Sequence, residues 1–373
     1  MRSLSRKRRI LYISIVYLAF VALLAMVETG VRLALPPVPS LDLFVATSQQ
    51  KAQVANAEKS GIFEGDPLLL WRLKPNLHDV VWDYTVVSTN AQNLRADHGI
   101  KAKAPGAFRI VCLGDSVTFG YRVPPVWPER PTDYDPAWLP YSILLEKSLR
   151  AANPGREVEA ITMAVPGYTS HQGLAWLRRD IDSLKPDLLI VSFGWNDVSF
   201  SEFPDREAIR TTSFAVALRW MVDHSQAFAH ATKWLRSRKQ GQIPAPGGMQ
   251  MPVPRVSEPE YISNMNQIIS LARERGAGVI VIAAPYRDNV TNPPEAELMA
   301  HYRRALRAEM EQQRIAFLEI TELTEAAYPS NLGWFGELIH PNHMGHRLMA
   351  AELLDLLSAE HLTTGLTIPK LTP

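Results

Sequence analysis

The sequence predicts an α/β protein: a three-layer α/β/α domain around a flavodoxin-like, five-stranded parallel sheet, preceded by an N-terminal transmembrane helix. Three observations carry this. Five short apolar runs of strand character recur between residues 109 and 320, amphipathic helical stretches separate them, and one long apolar run lies beside basic residues at the N-terminus.

The strand candidates are Arg109 to Leu113, Val158 to Val165, Leu188 to Phe193, Val279 to Ala284 and Ile315 to Ile320. Alternation with helices argues for a parallel sheet covered on both faces. Leu174, Leu177, Ile181 and Leu184 give one helix its apolar face, with Ser170 as candidate cap and Lys185-Pro186 as its stop. Met349, Leu353, Leu356 and Leu357 do the same for the last helix.

Ile10 to Val27 is a run of eighteen uncharged residues, apolar except for Ser14. At about 1.5 Å per residue it spans roughly 27 Å, the thickness of a bilayer's hydrocarbon. Arg2, Arg6, Lys7, Arg8 and Arg9 precede it with no acid, so the positive-inside tendency keeps the tail in the cytoplasm and sends the rest across. The expectation is a retained single-pass anchor with the main domain on the periplasmic or extracellular side. A cleaved signal peptide is the alternative, but the run exceeds the usual apolar core of such segments and Glu28-Thr29-Gly30 is a poor cleavage site.

The 373 residues are 46% apolar and 21% charged, an ordinary globular balance. With 39 basic against 38 acidic residues the net charge is +1, which gives no electrostatic footprint for nucleic acid. Cys112, the single cysteine, excludes an internal disulfide and reads as a buried thiol within an apolar strand.

The expected organisation is a basic tail (1–9), the anchor (10–27), a linker (28–60), a β-rich extension packed on the main domain (61–104), the main domain (105–360) and a C-terminal tail (361–373). Two insertions interrupt the main domain. Residues 121–140 are proline-rich and read as a long ordered loop. In 199–259, roughly Glu207 to Arg238 reads as helical, and Ile243 to Pro259, rich in Pro, Gly and Met, as a mobile lid or disordered loop.

Three polar islands carry the chemistry: Gly114-Asp115-Ser116, Gly194-Trp195-Asn196-Asp197 and Glu337-Leu338-Ile339-His340-Pro341-Asn342. The first two follow strands, where open α/β sheets bind ligands, and the third precedes a helix. They supply a nucleophile, a donor and a base, the roles that cleavage of an ester requires. Each island alone is ordinary, since Asn and Asp are common in turns and Pro341 suits a helix start.

Gly114-Asp115-Ser116-Val117-Thr118-Phe119-Gly120, with Gly167, Asn196 and His340 following in order, resembles the SGNH or GDSL-type hydrolase family, in its membrane-anchored bacterial-type members. The resemblance covers roughly Phe108 to Ser358. It implies that Ser116 is the nucleophile and His340 the general base. It further implies an oxyanion hole made from the N–H groups of Ser116 and Gly167 and the side-chain amide of Asn196. The family places Asp three residues before its His, where this chain has Glu337; other hydrolase triads accept Glu, so Glu337 is the expected orienting acid. Asn90 and Arg95 give a partial match to an Asn-x-x-Gly-Phe-Arg stretch of anchored relatives, with a structural role in docking the N-terminal segment.

No metal or organic cofactor is expected: His340, His343 and His346 step around a helix and share no face. Asp115 and Asp197 are expected to shape their turns. Trp127, Trp138 and Trp195 are either core aromatics or a sugar-stacking or acyl-lining surface. The expected activity is hydrolysis of a small-molecule or carbohydrate acyl ester, such as O-acetyl groups on an envelope carbohydrate. Rival readings are an acyltransferase acting on a sugar hydroxyl, a lipase or lysophospholipase, and a non-catalytic scaffold of the same fold; the sequence names no protein partner.

Overall fold

The computed structural model describes residues 6–38, 59–66, 68–126, 135–201, 204–208, 220–222, 224–240, 252–287, 293–327, 331–363 and 365–372. In chain order, α1 (Arg6–Ala34) is followed by two antiparallel hairpins, β1 (Phe63–Asp66) with β2 (Leu70–Leu73) and β3 (Val80–Trp82) with β4 (Thr85–Val87). Then come β5 (Phe108–Gly114), α2 (Ser116–Phe119), α3 (Tyr141–Ala152), β6 (Val158–Ala164), α4 (Ser170–Leu184), β7 (Leu188–Ser192) and α5 (Trp195–Val198). The 199–259 insertion holds β8 (Phe200–Ser201), α6 (Asp205–Ala208), α7 (Gln226–Gln240) and β9 (Val253–Pro254). The chain continues with α8 (Glu258–Arg273), β10 (Gly278–Ile282), α9 (Pro293–Gln313), β11 (Ala316–Leu318), α10 (Ile320–Ala327) and α11 (His343–Ala359).

The chain divides into two compact units, residues 52–209 with 250–373, and residues 1–51 with 210–249. The first is built on a five-stranded sheet in the order β11-β10-β7-β5-β6, all parallel. Counted along the chain the strands run 2-1-3-4-5, the doubly wound order whose switch point lies between the first and third strands, β5 and β7. All seven residues of β5 and all five of β7 are buried, which explains why these strands read as unbroken apolar runs. Successive side chains leave on opposite faces. Ile110, Cys112, Ile190 and Ile280 pack with Tyr141 and Leu145 of α3 and Met349 and Leu353 of α11, while α4 and α8 pack on each other and on the sheet's other face.

Two local readings differ from the sequence expectation. The cap of α4 is Thr169 rather than Ser170: its side chain and Gln172 form a capping box, and Ser170 is the first helical residue. The stretch expected to end as a lid or disordered loop is ordered from residue 252 onward. Phe200 and Ser201 pair with Pro254 and Val253, Arg255 and Val256 are buried, and α8 begins at Glu258. The part of that stretch before residue 252 lies outside the described residues.

In the second unit, α1 holds a 23-residue stretch, Tyr12–Ala34, long and apolar enough to cross a membrane, with most of its side chains exposed. Glu28 of α1 accepts hydrogen bonds from the Ser225 hydroxyl and from the Gln226 and Ala227 N–H groups at the start of α7.

Candidate active site

Ser116 opens α2 directly beyond β5. The strand must turn into a helix within two residues, and a Cβ on Gly114 would lie 2.2 Å from the Thr118 hydroxyl and 2.8 Å from the Ser192 carbonyl, so the turn closes only around glycine. Asp115 caps α2, its Oδ1 accepting from the Val117 N–H at 3.0 Å. Gly120 ends the helix in the left-handed region, φ 78°.

His340 meets this turn from the other end of the chain. Its Nε2 lies 2.7 Å from Ser116 Oγ, and its Nδ1 hydrogen-bonds Glu337 Oε1. With Nδ1–H donating to the carboxylate, Nε2 carries the lone pair that faces the hydroxyl. The loop is held by main-chain bonds from Gly336 N–H to His340 O and from Asn342 N–H to Trp334 O, and Asn342 caps α11 through Met344 and Gly345 N–H. Burial alone would raise the Glu337 carboxyl; the hydrogen bond and charge of His340, the Leu338 N–H and the Arg122 charge outweigh it and hold Glu337 below its ordinary range. The tilted Tyr121 ring sits 4.5 Å from the imidazole, and its hydroxyl donates to Asp83 of the β3–β4 hairpin.

Asn196 follows β7, and its Nδ2 donates to Asp115 Oδ2 at 3.1 Å. That acceptor decides which way the amide faces and leaves the second hydrogen of the same nitrogen for another partner. Burial pushes the Asp115 carboxyl up to about 6, against the Val117 N–H, the His340 charge and the Asn196 amide. Asp197 points elsewhere, accepting from the Ser170 N–H and hydroxyl at the start of α4, and its burial pushes it up to about 8.

Gly167 follows β6 with φ 85°. The carbonyl of Pro166, in the same peptide plane as the Gly167 N–H, accepts from Trp71 Nε1 at 3.2 Å, and in a trans peptide this turns the N–H the opposite way. The Gly167 carbonyl accepts from Arg255 Nη1 at 2.8 Å. Arg255 is buried and is gripped by Asp205, which also accepts from the Thr169 hydroxyl. The Trp71 ring would meet a Cβ on Gly167 at 3.1 Å.

Ser116, Gly167 and Asn196 thus follow β5, β6 and β7 at the switch point of the sheet, and His340 and Glu337 reach Ser116 from the loop before α11. The three histidines diverge: His343 stacks on Trp138 at 3.9 Å and His346 is buried against Tyr141, accepting its N–H. Trp195 donates to the Pro285 carbonyl and lines a cleft of about 360 Å³ with Tyr286 and Arg303. Trp127 lies outside the described residues.

Trp71 and Arg255 carry no motif and were not legible as site residues, since the first pairs across 95 positions and the second across 88. Arg95 had a partial signal. Its fully buried guanidinium donates to the carbonyls of Phe119, Gly120, Val86 and Val123, and burial pushes its pKa down to about 9. Asn90 shapes the preceding turn by accepting from the Gln92 and Leu94 N–H groups.

Comparison with curated proteins finds no match. Several solved structures are similar to the chain. They include an acetylxylan esterase from Geobacillus stearothermophilus, crystallised as a catalytic mutant (18% identity, 68% of this chain and 95% of that one, TM-score 0.42), and a lipase/acylhydrolase from Enterococcus faecalis (18%, 70% and 99%, 0.43). A third is an alpha/beta hydrolase from the metagenome of Lake Arreo, Spain (19%, 69% and 98%, 0.41). The model of the GDSL-like lipase/acylhydrolase family matches residues 112–348, well over half of the sequence, and the chain belongs to that family of ester hydrolases.

Proposed function

We propose that the protein is a membrane-anchored serine esterase that cleaves a short acyl ester, such as an O-acetyl group, from a carbohydrate on the outer side of the membrane. The observation that carries the proposal is the chain of contacts from Glu337 through His340 to Ser116, with Nε2 2.7 Å from Oγ. In the first step Ser116 Oγ attacks the ester carbonyl while its proton passes to His340 Nε2. Glu337, held ionised, fixes the imidazole tautomer and stabilises the imidazolium. Negative charge develops on the carbonyl oxygen, which the N–H groups of Ser116 and Gly167 and the free hydrogen of Asn196 Nδ2 would hold. His340 then protonates the leaving alcohol. Water, deprotonated by His340, attacks the acyl-Ser116 carbonyl; the C–Oγ bond breaks, Oγ regains the proton, and the carboxylic acid leaves.

A sugar alcohol is the favoured leaving group because Trp195, the neighbour of Asn196 in sequence, and Tyr286 offer flat aromatic surface in a cleft where Arg303, Arg304, Arg307, Glu319 and Glu322 stand beside Ala296, Met299 and Ala300. The anchor rests on the length and composition of Tyr12–Ala34 and the basic residues before it.

Aryl esters of increasing acyl length, tested on the full chain and on Ser116→Ala, examine this directly. Activity confined to acetyl and short acyl groups, and lost in Ser116→Ala, is expected; a preference for long chains contradicts the substrate class. Product analysis with an added sugar acceptor separates hydrolysis from transfer, because transfer alone yields an acylated sugar.

A further inference from the structure

The turn that follows β6 is Val165-Pro166-Gly167-Tyr168. The Tyr168 N–H donates to the Val165 carbonyl at 3.2 Å, and with Pro166 second and Gly167 third at φ 85° this is a type II β-turn. Its middle peptide carries the Pro166 carbonyl on one side and the Gly167 N–H on the other. Rotation of that single plane would exchange them, because Pro-Gly also fits a type I turn. Trp71 opposes the exchange, its Nε1 holding the Pro166 carbonyl at 3.2 Å.

Trp71 sets the direction of the Gly167 N–H, and Arg255 sets its position. Nη1 of Arg255 donates to the Gly167 carbonyl at 2.8 Å, Nε and Nη2 form a fork on Asp205 at 3.1 and 2.9 Å, and Nη2 also donates to Gln172 Oε1 at 3.0 Å. Arg255 is 7% exposed and Asp205 5%, so the charge is paired away from water. Gln172 is held in turn by the Leu69 carbonyl and by the capping box of α4.

The backbone beside Arg255 holds the other side-chain donor's turn. The Arg255 N–H donates to the Ser199 carbonyl at 2.9 Å and the Val256 N–H to the Asp197 carbonyl at 3.0 Å, while the Ser199 hydroxyl donates to the Asn196 carbonyl at 2.7 Å. One point at the closing edge of the insertion thus grips the turn after β6 with a side chain and the turn after β7 with its main chain. We infer that Arg255 is a positioning residue of the oxyanion hole, setting the separation between the Gly167 N–H and the Asn196 amide. The inference rests on the reading of those two groups as oxyanion donors. A lysine at 255 keeps a charge beside Asp205 but lacks the planar fork that serves Asp205, Gln172 and Gly167 together.

Full-chain Arg255→Lys and Arg255→Met are compared with the parent in aryl acetate hydrolysis, with active sites counted by fluorophosphonate labelling taken to its endpoint. Affinity for an aryl boronic acid is measured alongside, because its serine adduct places an oxygen where the oxyanion forms. Per labelled site, kcat is expected to fall about tenfold in Arg255→Lys and on the order of 10²-fold in Arg255→Met, with KM within about twofold and the boronate Kd rising in step with the loss of kcat. A purely structural role would lower the number of labelled sites and leave kcat per site and boronate affinity at parental values. That result overturns the inference, as does a fall in kcat with unchanged boronate affinity. If Arg255→Met does not fold, Arg255→Lys decides. Asn196→Ala keeps two failures apart: full activity in that variant overturns the oxyanion reading and the inference with it, whereas its expected loss beside a parental kcat in Arg255→Lys overturns the inference alone.

Discussion

Asp115→Asn separates a structural role from a chemical one at the candidate oxyanion hole. The carboxylate accepts twice, from the Val117 N–H and from Asn196 Nδ2. An asparagine there keeps an oxygen for Val117 and presents an NH₂ group to Asn196, which must flip its own amide to avoid a donor facing a donor. The flip turns an oxygen toward the developing oxyanion. Loss of one such donor costs about 10²- to 10³-fold in kcat, and an opposing oxygen costs at least as much.

Stability should move the other way. Burial raises the Asp115 carboxyl from 3.8 to about 6, which disfavours the ionised form in the folded protein by about 3 kcal/mol at about 1.4 kcal/mol per tenfold change in acidity. The penalty is absent below 3.8, where both states hold the proton, grows as pH rises toward about 6, and is complete above it. Asp115→Asn is therefore expected to match or exceed the parent in Tm at pH 8, with the difference shrinking toward pH 4. The assays are aryl acetate hydrolysis and thermal unfolding at the two pH values. Asn196→Ala should lose a similar factor in kcat, and the double variant should lose little more, because both remove one donor. A fully active Asp115→Asn enzyme would refute the reasoning.

Three further outcomes follow from the same contacts. Glu337→Gln removes the charge that steadies the imidazolium and should lower kcat by on the order of 10³-fold with KM little changed, whereas Glu337→Asp should be milder; steady-state kinetics decide. Trp71→Phe drops both the bond to the Pro166 carbonyl and the benzo edge of the indole that lies nearest Gly167, and should lower kcat about tenfold with a stability loss on the order of 1–3 kcal/mol; an unchanged kcat would show that the peptide needs no such pin. Asp197, raised to about 8 by burial, keeps its proton in the folded chain where the unfolded chain has released it, so it makes stability fall as pH rises from 3.8 to about 8. Denaturant titrations of Asp197→Asn should show a flatter decline across that window.

The sheet was legible because its strands are buried on both faces. The apolar run read as Arg109 to Leu113 is β5, Phe108–Gly114, and Leu188 to Phe193 is β7, Leu188–Ser192, each within a residue or two. Ser116, Asn196 and His340 were legible as candidates because polar residues directly at a strand end or helix start interrupt an otherwise apolar pattern. What escaped is what depends on distant pairing. Trp71 and Arg255 act on the peptides around Gly167 from a hairpin and from the closing edge of an insertion, and nothing in their neighbourhoods marks them. The insertion helix was expected over roughly Glu207 to Arg238. Its described core is Gln226–Gln240, and its start at Ser225 is set by a carboxylate almost two hundred positions earlier, which no local window contains.

The central claim is that Ser116 is a nucleophile activated by His340. Treatment of the full chain with a fluorophosphonate, followed by mass mapping of the adduct, tests it most directly. The account predicts one adduct on Ser116, absent in Ser116→Ala and formed far more slowly in His340→Ala. An unmodified Ser116 under conditions that label a control esterase completely, or a sole adduct on another residue, would contradict it.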